Sequence, residues 1–145
     1  MMKTVTDPVT IANELRPVLL KLSRQVRREL HELDVTAGQV SILAHIGNEP
    51  GIGIRGLARL EGVSQPRMSK VVQELLVAGL VHRYPGDDRR RVGLELTARG
   101  AGVLRSVKRR RTAWLAGRLE RLDPGELEQL EAAVPLLARL LEEPE

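Results

Sequence analysis

Apolar residues recur along most of this chain at steps of three and four, and over one short stretch they alternate instead. Ile11, Leu15, Val18, Leu19, Leu22, Val26, Leu30 and Leu33 make the first stripe, behind an Asp7-Pro8 pair suited to an N-cap and a first helical position. They predict a helix of about 25 residues. Pro17 sits inside it and should kink it, or split it near Arg16, at a cost of about 3 kcal/mol. Thr36 and Gln39 have capping-box spacing, and Val40, Ile42, Leu43 and Ile46 give a second helix its buried face. A third helix is expected over 54–61, with Leu57, Ala58 and Leu60 facing inward and Gly62-Val63 as the turn that follows.

Ser64 then caps a fourth helix. Pro66 lies in its first turn, Met68, Val71, Val72, Leu75 and Leu76 form its apolar face, and Gly79 is placed to end it with positive φ. Gln65, Arg67, Ser69, Lys70 and Gln73 occupy the other side, with no acid among them. Here the period changes from helical to alternating. Leu80 to Tyr84 reads as a strand, Pro85 to Arg91 as a charged turn, and Val92, Leu94 and Leu96 alternate with Gly93 and Glu95 as the partner strand. Ile52 is placed to add a short edge to this hairpin. Thr97 caps a fifth helix running to about Arg121. Asp123-Pro124-Gly125-Glu126 opens a sixth, lined by Leu127, Leu130, Val134, Leu137, Leu140 and Leu141 and interrupted by Pro135.

The predicted fold class is therefore mainly α with a small β-hairpin wing: a winged helix-turn-helix over 36–97, with helices before it (7–34) and after it (98–143), in one domain spanning 1–145. In this geometry the fourth helix enters a major groove, and the hairpin reaches the flanking backbone or minor groove.

Charge sharpens this picture. The net +4 hides an asymmetry: residues 120–145 carry −6 and residues 1–119 carry +10. A basic body points to a polyanion, although 19 Arg against 4 Lys also fits a simple compositional bias. Trp114 and Tyr84 are the only aromatic residues. Single-strand binders stack bases on aromatic rings, so double-stranded DNA is the better partner. The chain has no cysteine, which removes disulfides, zinc–thiolate sites and thiol redox sensing. No apolar run approaches 18 residues, so no membrane span is expected, and a cytoplasmic location fits.

On particular residues, the chain resembles the MarR family of winged helix-turn-helix transcription regulators. The matching positions are Leu57-Ala58, Val63-Ser64, Gly79-Leu80-Val81 with Arg83, Asp88-Arg89-Arg90, and Leu96-Thr97 with Gly100; Thr36 and Gln39 extend the match upstream. The chain departs from the family at Gly53, where a Ser or Thr cap is usual. The resemblance implies a homodimer interlocked through its terminal helices. It also implies repression at a pseudo-palindromic site and, in many members, relief by a small-molecule effector bound between the dimerisation helices and the winged region. Twofold symmetry suits half-sites about 34 Å apart on one face of a duplex.

The expected DNA-binding residues are Ser64, Gln65, Arg67, Ser69, Lys70 and Gln73 on the fourth helix and Arg89, Arg90 and Arg91 on the wing. Arginine or lysine can bond guanine O6 and N7, and glutamine can pair with adenine. Asp88 and Arg90 match the family's paired acid and base, which implies that Asp88 orients an arginine toward the minor groove; the plain alternative is an Asp that only makes the turn. Lys108-Arg109-Arg110-Arg111 reads as a solvated helix face, with an extra phosphate contact as the sharper alternative.

No enzyme is expected. His31, His45 and His82 are scattered over different elements, no nucleophile–base set or phosphate loop is present, and no cofactor or metal is implied. Two rival readings remain: a winged helix used for protein–protein contact, and a regulator of another winged-helix class.

Overall fold

A computed structural model describes residues 6–29, 33–85 and 92–145. Its elements follow the predicted order: α1 (Pro8–Arg27), α2 (Ala37–Asn48), α3 (Ile54–Glu61), α4 (Gln65–Val77), β1 (Val81–Pro85), β2 (Val92–Leu96), α5 (Ala98–Leu119) and α6 (Pro124–Arg139). The chain forms two compact units, one up to Arg111 and one from Thr112, with α5 contributing to both.

Caps account for most of the helix boundaries in the first unit. Asp7 accepts from the Val9 amide at the start of α1. Thr36 and Gln39 exchange both bonds of a capping box at α2, 3.1 Å and 3.0 Å long. Gly53 offers α3 no side-chain cap, as its identity dictates. Both α3 and α4 end in the same way. Gly62 and Gly79 take φ of 65° and 73°, and the amides after them, Val63 and Leu80, reach back to the Ala58 and Leu75 carbonyls at 3.1 Å and 3.0 Å. A left-handed residue followed by this backward bond closes the orphan carbonyls of the last turn and turns the chain sharply.

The core of this unit gathers Ile42, Leu43 and Ile46 of α2, Leu57 and Ala58 of α3, Met68, Val72 and Leu75 of α4, and Leu80, Val81 and Leu94 of the hairpin. The two strands pair antiparallel, from Val81 opposite Leu96 to Pro85 opposite Val92. Ile52 joins as an isolated bridge to Leu94, with two backbone bonds of 2.8 Å and 2.9 Å between the segments. Gly93 is required there, because a Cβ would overlap the backbone of Gly51.

The opening of α5 is fastened to the exit of α4. Thr97 donates through Oγ1 to the Gly79 carbonyl (2.6 Å), accepts at the same oxygen from the Gly100 amide (3.0 Å), and gives its own amide to the Leu80 carbonyl (3.1 Å). A Cβ on Gly100 would overlap that same Leu80 carbonyl. Val107 of α5 is buried with Val40 of α2, and Leu33, Val35, Val103 and Leu104 pack around them.

Three expectations are corrected. Leu60 does not face inward and is 55% exposed. At 3.6 residues per turn it lies nearly half a turn from Ala58, so helical geometry overrides its apolar character. Next, α1 stops at Arg27, short of Leu33, with Asp34 in the left-handed region at φ 55°. Finally, of the kink or split expected at Pro17 the split does not occur; Pro17 lies inside one continuous helix, as Pro135 does in α6. On an exposed helix, water can take up the carbonyl that a proline leaves without a partner.

The apolar stripe of α1 is not buried within the chain. Val18, Leu19, Leu20 and Leu22 are all more than 40% exposed, and no residue of the helix is buried. In the second unit, Asp123 and Glu126 complete a capping box at α6, and the Arg118 guanidinium stacks 4.9 Å from the Trp114 ring. Leu127, Leu130, Val134, Leu136, Leu140 and Leu141 are exposed.

Candidate nucleic-acid interface

Met68, Val72 and Leu75 hold α4 against the core, and Val71 and Leu76 flank them half-buried. That packing fixes which residues face out. Gln65, Arg67, Ser69, Lys70 and Gln73 are all exposed. None of these five side chains bonds to protein among the described residues. At 100° per residue, Lys70 lies at the crest of the outer face, with Gln73 and then Ser69 on one side and Glu74 and then Arg67 on the other. Ser64 works at the helix start, where its Oγ accepts from the Arg67 amide at 3.3 Å.

The face is not purely cationic. Glu74 is also exposed on it, on the Arg67 flank. Arg67 and Glu74 border a cleft of about 300 Å³ between the start of α2, the end of α3 and α4, with Gln39, Ile42, Val63, Met68 and Val71 in its walls. On the opposite side of the α4 N-terminus lies an open cleft of about 540 Å³, lined by Arg55, Ala58, Arg59, Gly62, Val63 and Gln65. Arg55 and Arg59 are exposed cations that the sequence reading passed over. Their i, i+4 spacing on the polar side of a helix was the available signal.

Glu61, the acid nearest to them in sequence, is turned away. It accepts from Ser41 Oγ at 2.5 Å and lies 3.0 Å from His45 Nε2, so it ties the end of α3 to α2. At the base of the hairpin, His82 and Glu95 face each other across the strands at 3.6 Å, and Arg83 is exposed beside them. Asp88, Arg89, Arg90 and Arg91, the expected wing-tip residues, lie outside the described residues.

The basic run of α5 is less uniformly solvated than a free helix face would be. Lys108 and Arg109 are exposed, but Arg110 and Arg111 are half-buried. Partial burial, then the charge of Arg27, lowers the pKa of the Arg111 guanidinium, and its Nε has no partner. Among the described residues, no three His, Asp or Glu side chains come together as a metal site. No helix there is long and apolar enough to cross a membrane.

The arrangement is a helix-turn-helix, α3 and α4, followed by a hairpin. Comparison with known proteins agrees. The sequence profile of the MarR family matches residues 35–92. An uncharacterised HTH-type transcriptional regulator of Mycobacterium bovis is 33% identical, over 92% of this chain and 94% of its own length. A Pseudomonas aeruginosa crystal structure described as a transcriptional regulator protein superposes with a TM-score of 0.83 at 29% identity, covering 94% of this chain and 96% of that one. The fold is shared by a Staphylococcus aureus MepR mutant solved bound to an oligodeoxyribonucleotide, with TM-score 0.69, 20% identity and coverage of 91% and 98%.

Proposed function

Because the chain belongs to the MarR family of DNA-binding transcription regulators, we propose that it acts as a homodimeric repressor in the cytoplasm. Two copies hold their α4 helices against successive major-groove segments of a pseudo-palindromic duplex. The observation that carries this reading is the outer face of α4. Arg67, Ser69, Lys70 and Gln73 stand there, exposed and unengaged, on a helix whose opposite face is locked into the core, with Gln65 exposed at the helix start. Lys70 and Gln73 reach base edges, Gln65, Arg67 and Ser69 contact bases or phosphates, and Ser64 shapes the helix start. Arg89, Arg90 and Arg91 extend the contact along the backbone or into the minor groove, with Asp88 orienting Arg90. The MepR mutant bound to an oligodeoxyribonucleotide supports DNA as the partner of this fold.

The exposed leucines and valines of α1 and α6 support a second copy as the other partner. An exposed apolar stripe along a helix marks an interface. The cleft beside Arg67 supports an effector, because its size is within the range of small-molecule sites and an edge residue of the DNA-facing helix lines it. An apolar molecule there would bias the position of α4, and that bias would couple the two sites.

The test is selection of bound duplexes from a random pool with the purified protein, then gel shifts of the selected duplex in rising salt. A shared inverted repeat and a steep fall of affinity with salt are expected. A protein–protein contact module would recover no common sequence.

A further inference from the structure

We infer that Arg55 and Arg59 of α3 form a phosphate clamp that fixes where the DNA backbone crosses the helix-turn-helix; the inference rests on the duplex-binding reading above. Four observations carry it. Both arginines are exposed, one turn apart on a single face, which places them about 5–6 Å from each other. They line one open cleft with Gln65, the first residue of α4, and no acid borders that cleft. Glu61 is committed to Ser41 and His45 on α2, so it leaves both positive charges uncompensated. The remaining wall is Ala58, Gly62 and Val63, small enough for a sugar–phosphate backbone to approach closely.

The amides at the start of α4 strengthen the argument. A helix N-terminus usually binds phosphate through free N–H groups. Here Pro66 has none, the Arg67 amide bonds to Ser64 Oγ, and the Met68 amide bonds to the Ser64 carbonyl. The Gly62 and Val63 amides are spent on closing α3. Among these residues the Ser64 and Gln65 amides remain. Two neutral amides supply no formal charge, so a phosphate held at this corner draws its ion pairing from side chains, and Arg55 and Arg59 are the cations in place. Such contacts position the protein on the duplex and carry no sequence information.

The experiment compares the full-length protein with the Arg55→Ala/Arg59→Ala double variant on two duplexes, one selected by the wild type and one scrambled, over a salt series. With one clamped phosphate per protomer, two protomers per duplex and a slope of about 0.9 per phosphate, the double variant lowers the salt dependence by about 1.8 and weakens binding roughly 30-fold at 150 mM salt. Both duplexes should lose affinity in equal proportion, and Arg55→Lys/Arg59→Lys should keep the wild-type slope. Arg55→Gln/Arg59→Gln, which retains most of each stem, gives the same readout if the alanine pair folds poorly. A slope that falls by less than one contact, or a loss confined to the selected duplex, overturns the clamp. Failure of the wild type to bind any duplex overturns the regulator reading itself, which keeps the two failures apart.

Discussion

Ser64 and Gly100 are small residues whose roles differ in kind. Ser64 satisfies a single amide, that of Arg67. Ser64→Ala should therefore cost about 1 kcal/mol, read as a lower midpoint in denaturant unfolding with unchanged slope, and Ser64→Gly only a few tenths. Gly100 answers to space, because any Cβ there meets the Leu80 carbonyl. Gly100→Ala should destabilise by about 1–3 kcal/mol or more by overpacking. It should also loosen the joint between α4 and α5, read as faster amide exchange at Leu80 and Thr97. Arg90→Ala tests the proposed contact of the wing with the duplex. It should weaken operator binding with helicity and self-association unchanged, and an unaltered affinity would remove the wing tip from recognition.

At the scale of elements, α1 carries the sharpest expectation. A stripe of valine and leucine more than 40% exposed in one copy of the chain is a buried surface once a second copy covers it. Leu19→Glu or Leu22→Glu should then shift sedimentation at micromolar concentration toward the monomer, because an unpaired buried charge costs about 3–5 kcal/mol, while circular dichroism stays the same. What could be read from sequence at this scale was whatever local chemistry decides. The capping boxes at Thr36 and Asp123, the cap at Ser64 and the positive φ of Gly79 each follow from one or two residue types, and each is present. Tertiary geometry decided the rest. Leu60 is apolar but lies on the wrong arc of α3, and the stop of α1 at Arg27 breaks no obvious pattern. The outer face of α4 was legible because its inner face was so clearly apolar. Arg55 and Arg59 were not, because their meaning depends on Glu61 being drawn to Ser41 and His45, twenty and sixteen positions earlier in the chain.

For the whole molecule, the decisive feature is the link between parts. α5 begins on Thr97, which holds the Gly79 and Leu80 carbonyls at the exit of α4, so the helix that leaves the winged region is fastened to the second helix of the helix-turn-helix. Through this joint, a shift at the start of α5 is passed to the exit of α4, the kind of coupling that the proposed regulation by an effector would need. The charge asymmetry of the chain fits the same division, with +10 over residues 1–119 and −6 over residues 120–145. The most direct measurement is sedimentation equilibrium of the wild-type protein with its selected duplex across a salt series. The account predicts two protomers per duplex and an affinity that falls steeply as salt rises from 50 to 200 mM, about 10³–10⁵-fold if six to ten phosphates are contacted. A complex of one protomer per duplex, or an affinity indifferent to salt, would contradict it.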